Sequence, residues 1–123
     1  MKKPYIQTLV RQALREDQAM RDVTTLALIP QRAMATARII FKQTGIVCGQ
    51  TVAKETFRQL DSGFRYKILV DDTEHVTGGR AVAVLRGKMR AVLSGERTAL
   101  NFLGRMSGIA TLTHRFVSAA SPT

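Results

Sequence analysis

The sequence predicts an α+β fold, a small mixed or antiparallel sheet covered by helices. Two observations carry that expectation. Apolar residues recur at helical spacing in three separate stretches and alternate at period two between them. Glycine or paired acidic residues mark the changes of period, at Gly45, Asp71-Asp72, Gly78-Gly79 and Gly87.

Taken in order, Ile6, Leu9, Val10, Ala13 and Leu14 follow the i, i+3, i+4, i+7, i+8 pattern of an amphipathic helix that starts after Pro4 and ends near Asp17. Residues Glu16 to Thr25 lack a clean period and read as a loop in which Asp22 bonds nearby backbone amides. Nothing in the sequence holds Asp17 and Asp22 together as a catalytic carboxylate pair. Ala35, Ala37, Ile39 and Phe41 alternate with polar or outward residues as a strand with one buried face. Gln43-Thr44-Gly45 is a turn, Ile46-Val47-Cys48 a short apolar strand, and Thr51 to Leu60 a helix with Ala53, Phe57 and Leu60 facing inward. Cys48, with no histidine or other base nearby in sequence, reads as a small buried hydrophobe rather than a nucleophile. Tyr66, Ile68 and Val70 form the next strand, and His75 falls in an exposed polar connection. Gly78-Gly79 is a tight turn, since no phosphate-loop pattern surrounds it. A last strand runs from Ala81 to Arg86, ended by Gly87, and a long helical region follows.

That final region, Val92 to Thr113, is where function is most readable. Leu93, Leu100, Leu103 and Met106 form one helical stripe, broadened by Val92, Ala99, Phe102, Ile109 and Ala110 into a core-facing surface. Arg97, Asn101, Gly104 and Gly108 line another face, small, polar and positive. Glycine inside a helix costs about 0.5–1 kcal/mol relative to alanine, so Gly104 and Gly108 imply a close approach or a break, with Ser107 capping a second segment. Glu96-Arg97 reads either as a solvated charge pair or as an arginine aimed at an anion. A planar guanidinium suits the second role because it donates two parallel hydrogen bonds to a carboxylate or phosphate.

Composition narrows the classes. The 123 residues suffice for one domain with a modest core, and residues 1–123 are read as one unit. The amphipathic start is unlike a signal peptide, and no apolar run approaches the ~20 residues that span a bilayer. A single cysteine excludes an internal disulfide and fits a reducing cytoplasm. One cysteine and two distant histidines make no metal site. The net charge of +10, from 19 basic and 9 acidic residues, attracts polyanions without choosing among them. The cations are scattered apart from Arg80, Arg86, Lys88 and Arg90, and with no tryptophan few platforms exist for stacked bases, which argues against nucleic acid.

The run Glu96-Arg97-Thr98-Ala99-Leu100-Asn101-Phe102-Leu103, followed by Ser107-Gly108-Ile109-Ala110-Thr111, resembles the signature helix of quinolinate phosphoribosyltransferase, also called nicotinate-nucleotide pyrophosphorylase (carboxylating). Glu16-Asp17, Asp22-Val23-Thr24-Thr25, Gly45-Ile46-Val47-Cys48-Gly49 and the stretch from Gly79 to Gly87 occur in the family's order. Arg21 departs from the family's usual glycine before Asp-x-Thr-Thr. The resemblance implies an amino-terminal, α/β-hammerhead-like domain without the carboxy-terminal α/β barrel that holds most of the active site. It is then a fragment, expected to be inactive by itself.

The whole enzyme would join quinolinate to the phosphoribosyl group of phosphoribosyl pyrophosphate, with magnesium, and lose carbon dioxide to give nicotinate mononucleotide in NAD biosynthesis. By the same resemblance, Arg97 reaches across a homodimer interface to a quinolinate carboxylate in the neighbouring subunit's site. Glu96 and Asn101 are expected to support it, and Arg105 and His114 to lie at the pocket edge. No catalytic residue, cofactor or metal ligand is carried over to this domain. The alternatives are a molybdenum-transport-associated relative of the same fold, disfavoured by the intact Glu-Arg-Thr-Ala-Leu-Asn element, a basic module binding nucleic acid or protein, and a dimerisation scaffold.

Overall fold

The computed structural model describes residues 2–19 and 28–120, so the readings of Asp22, Arg21 and the Asp-x-Thr-Thr element lie outside the described residues. Helix α1 spans Lys3–Ala19, strand β1 Met34–Ile40, β2 Gly45–Ile46, helix α2 Gln50–Leu60, β3 Arg65–Ile68, β4 His75–Val76, β5 Ala81–Lys88 and helix α3 Met89–Ala120. The expected α+β class is what forms. Its sheet is antiparallel throughout, with β5 between β1 and β3, beside a two-stranded β2–β4 ribbon.

Helix α1 buries Ile6, Val10 and Leu14 against Val52 of α2, with Phe102 and Met106 of α3 closing the cluster. It continues through residues 16–19, which the sequence reads as the start of a loop. The larger core lies between the sheet and the two later helices, joining Ile39, Tyr66, Val82 and Leu85 to Phe57, Ala99 and Leu103. Strand β1 shows the expected alternation, which reaches full burial at Ile39.

Strands β4 and β5 depart from the sequence reading. His75 belongs to β4, pairing with Ile46 of β2, although its side chain is exposed as expected. A two-residue strand has no period to detect. Gly87 lies within β5 rather than ending it. The Phe64 ring, stacked on Phe57 at 4.7 Å, covers Gly87 so closely that a Cβ there would sit 2.1 Å from Phe64 Cδ2. Glycine at this position makes room for the ring and leaves the strand unbroken.

Helix α2 is preceded by Gly49, whose φ of 107° is left-handed. Its first amide, Gln50 N–H, donates to Asp72 Oδ1 at 3.0 Å, so the cap comes from the acidic turn after β3. The buried Gln50 carboxamide donates to the carbonyls of Val70 and Val82 at 2.9 and 3.0 Å and accepts the hydroxyl proton of Tyr66. This network ties helix to sheet through polar groups that would otherwise be costly to bury.

Helix α3 is continuous, against the expected break, and nothing lies within 4 Å of a Cβ built on Gly104 or Gly108. Ser107 is not a cap. Its hydroxyl accepts from Cys48 N–H and donates to Cys48 C=O, both at 2.9 Å. One turn on, Thr111 accepts from Ile46 N–H at 2.9 Å and donates to Ser107 C=O at 2.7 Å. The helix thereby completes the hydrogen bonding of the Gly45–Gly49 segment. Gly45 permits this approach, since a Cβ there would meet Thr111 Oγ1 at 2.7 Å. Cys48 is half-buried, and burial, then the Asp72 charge, push its thiol pKa up, as suits a structural rather than a nucleophilic cysteine.

The predicted core stripe of α3 is correct at Val92, Ala99 and Leu103, which are buried. It fails at Leu100 and Ile109, which are 46% and 68% exposed. The sheet and α1 meet only one side of the helix, and from Ile109 onward Leu112, Phe116 and Val117 also face outward.

Candidate functional site

Arg97, Asn101 and Arg105 follow one another at i, i+4 and i+8, so the regular helix places all three on the outer face of α3. Arg97 carries a side chain that is 64% exposed, with Nη1 at 3.9 Å from Asp17 Oδ1. That distance makes a loose ion pair and leaves the guanidinium fork available to a second anion. Asp17, 13% exposed, sits in the last turns of α1. Its other oxygen, Oδ2, accepts the hydroxyl of the buried Thr98 at 3.2 Å. One carboxylate thus joins the end of α1 to two adjacent residues of α3.

Beside this contact a cleft of about 420 Å³ opens between α1 and α3, lined by Gln12, Glu16, Asp17, Thr98, Asn101 and Arg105 among others. Asn101 and Arg105 therefore share a cleft whose edge is the carboxylate that pairs with Arg97. Glu96 is exposed, and the carboxylate found beside Arg97 is that of Asp17 rather than of its sequence neighbour. Successive helical residues diverge by about 100°, so adjacent side chains do not face one another. His114 lies 17 residues beyond Arg97 on the same helix, roughly 25 Å away at 1.5 Å per residue. Within one chain it is far from the Arg97 cleft.

Asp17 forms no recognisable site in the sequence, yet the fold brings it to Arg97 and Thr98. It lies 81 positions from Thr98, a separation no local period encodes. The signal available was its place in the Glu16-Asp17 pair.

The basic concentration along β5 and the start of α3 is partly committed to structure. Arg86 donates to Thr36 Oγ1 at 2.7 Å across the sheet, and Arg90 donates to the Ile29 carbonyl at 2.6 Å. Among the described residues no group of three or more His, Cys, Asp or Glu is arranged to hold a metal ion. No described helix is long and apolar enough to cross a membrane.

Comparison with known proteins bears on the family and the fold. The family described as quinolinate phosphoribosyl transferase, N-terminal domain, matches residues 22–107. The chain is 36% identical over 118 residues to the chloroplastic nicotinate-nucleotide pyrophosphorylase [carboxylating] of Oryza sativa subsp. japonica, a match covering 95% of this chain and 32% of that protein. It is 37% identical over 113 residues to a probable nicotinate-nucleotide pyrophosphorylase [carboxylating] of Methanothermobacter thermautotrophicus, covering 91% of this chain and 39% of that one. Among solved structures, NadC from Streptococcus pyogenes superposes with a TM-score of 0.89 at 31% identity, over 97% of this chain and 43% of that chain. The nicotinate-nucleotide pyrophosphorylase from Francisella tularensis gives the same TM-score at 35% identity, over 96% of this chain and 41% of that chain. The chain spans about a third of the length of the curated relatives it matches. By the family match, the sequence identity and the shared fold together, this chain belongs to the quinolinate phosphoribosyl transferase N-terminal domain family.

Proposed function

We propose that residues 1–123 form the amino-terminal domain of a quinolinate phosphoribosyltransferase, and that Arg97 binds a quinolinate carboxylate in the neighbouring subunit's site of a homodimer. The single observation that supports the clamp is an arginine held loosely at 3.9 Å by one carboxylate while 64% of its side chain faces outward. A guanidinium stays protonated, so its role is binding and orientation and not proton transfer. A charge-assisted hydrogen bond of this kind contributes about 1.5–3 kcal/mol. Asn101 and Arg105 sit in the adjoining cleft as supporting groups. Glu96 keeps only an indirect role, and His114 one at most in another part of the assembly.

The reaction of the whole enzyme transfers the phosphoribosyl group from phosphoribosyl pyrophosphate to the quinolinate ring nitrogen, releasing pyrophosphate, and the adduct loses carbon dioxide to leave nicotinate mononucleotide. Neutralising two substrate carboxylates and holding the nitrogen in line with the sugar carbon are the contributions that lower such a barrier. Magnesium would offset phosphate charge in phosphoribosyl pyrophosphate. The reading assigns it to the rest of the enzyme, together with phosphoribosyl pyrophosphate. A homodimer is further supported by Ile109, Leu112 and Phe116, an exposed apolar stripe at i, i+3, i+7 that an assembled enzyme would cover. The reading keeps a cytoplasmic setting.

The test is carbon dioxide release dependent on quinolinate and phosphoribosyl pyrophosphate, measured on the complete gene product, on its Arg97→Ala variant and on the 123-residue chain. Release by the complete protein, lowered at least tenfold in kcat/KM by Arg97→Ala and absent from the short chain, is the expected result; tenfold corresponds to about 1.4 kcal/mol. No release from a folded complete protein refutes the enzyme reading. Salt-sensitive binding of duplex or single strands would then favour the basic module.

A further inference from the structure

We infer that Asp17 is a positioning residue for Arg97, held in place by Thr98; this rests on the clamp reading of Arg97 given above. The two carboxylate oxygens face different partners: Oδ2 accepts from the Thr98 hydroxyl at 3.2 Å, and Oδ1 faces Arg97 Nη1 at 3.9 Å. Thr98 is 4% exposed and Asp17 13%, so the anchoring end is shielded while the guanidinium stands in solvent.

An unrestrained arginine at such exposure samples many rotamers, and ordering it on binding costs conformational entropy. A carboxylate with one oxygen bound to a buried hydroxyl is a fixed point for that side chain. At 3.9 Å the pair lies outside hydrogen-bond range, so attraction narrows the arginine's orientations while its N–H donors stay free for a carboxylate substrate. The device explains why a partly buried carboxylate stands beside the proposed anion clamp, where its charge alone would disfavour an anionic substrate. It also gives a local function to Thr98, whose neighbours Ala99 and Leu103 serve the core.

Three changes in the complete gene product test this. Asp17→Asn keeps an acceptor for Thr98 and removes the charge facing Arg97. Thr98→Val removes the anchor at constant shape, and Thr98→Ser restores the hydroxyl. Each of the first two is expected to raise the KM for quinolinate about fivefold, the upper end for a weak ion pair, with kcat and the KM for phosphoribosyl pyrophosphate within twofold of wild type. Thr98→Ser should return the quinolinate KM to near wild type. In an Arg97→Ala background Asp17→Asn should have no further effect, because the carboxylate acts through the arginine.

Additive effects in that cycle, or equal rises in both KM values with a loss of thermal stability, overturn the inference in favour of plain structural support. A fall in quinolinate KM on Asp17→Asn overturns it in favour of simple repulsion. If wild type turns over and Arg97→Ala weakens it while Asp17→Asn and Thr98→Val do not, only the positioning inference fails. If folded wild type shows no quinolinate-dependent release, the clamp reading fails and carries this one with it.

Discussion

Replacing Gln50 with leucine tests the polar tie between α2 and the sheet. Gln50 is 1% exposed, and its carboxamide serves three partners. Leucine is close in volume, so the cost comes from the groups left behind. The Val82 carbonyl retains the Leu69 amide at 2.9 Å and is not orphaned. The Tyr66 hydroxyl loses its acceptor and the Val70 carbonyl loses the Gln50 donor, each at about 1–3 kcal/mol for a buried unsatisfied group. With some apolar gain from leucine, the expected loss is about 3–4 kcal/mol, a large part of the 5–15 kcal/mol typical of a domain. Urea denaturation followed by far-ultraviolet circular dichroism measures it, with an unchanged m-value showing that the comparison is like for like. Adding Tyr66→Phe should recover about 1 kcal/mol relative to the sum of the single changes, because both partners are then apolar. A Gln50→Leu cost below about 1 kcal/mol would refute the network as a source of stability.

Gly87→Ala should cost about 2–4 kcal/mol by thermal denaturation, as a Cβ 2.1 Å from Phe64 Cδ2 must expel the ring from its stack on Phe57. Pairing it with Phe64→Leu should restore part of the loss. Ser107→Ala should cost about 1–3 kcal/mol and raise hydrogen exchange at the Cys48 amide, which loses its acceptor. Uniform exchange along residues 45–49 would contradict that local account. Burial, then the Asp72 charge, raise the Tyr66 pKa above the ordinary 10.0, so folding favours the protonated phenol. Its contribution to stability is therefore complete below about pH 10 and is lost as pH rises through the folded value. In a Tyr5→Phe variant, which leaves Tyr66 as the sole tyrosine, phenolate absorbance should rise together with unfolding; ionisation well before unfolding would contradict it.

Much of the architecture was legible in the chain because it rests on local periodicity. Ile6, Val10 and Leu14 announced α1, Ala53 and Phe57 the inner face of α2, and the alternation into Ile39 marked β1. The family was legible for a related reason, since the Glu96–Asn101 and Ser107–Thr111 elements are contiguous in sequence. What periodicity could not encode was which side of a long helix the rest of the protein would meet. Leu100 and Ile109 matched the stripe of Leu103 as well as any residue, yet face outward because packing occupies one side of α3.

The places of Gly87, His75 and Ser107 in the fold have another cause. Each has a role set by a partner distant in sequence, respectively Phe64, Ile46 and Cys48. The same holds at the candidate site. By itself the sequence determined that an arginine suited to a carboxylate stands on a helix after the sheet, because residue type and spacing are local properties. That Asp17, 80 residues earlier, faces this arginine and is anchored by Thr98 follows from the folded chain alone. Long-range electrostatic contacts follow from how α1 and α3 pack, and packing is a property of the whole fold.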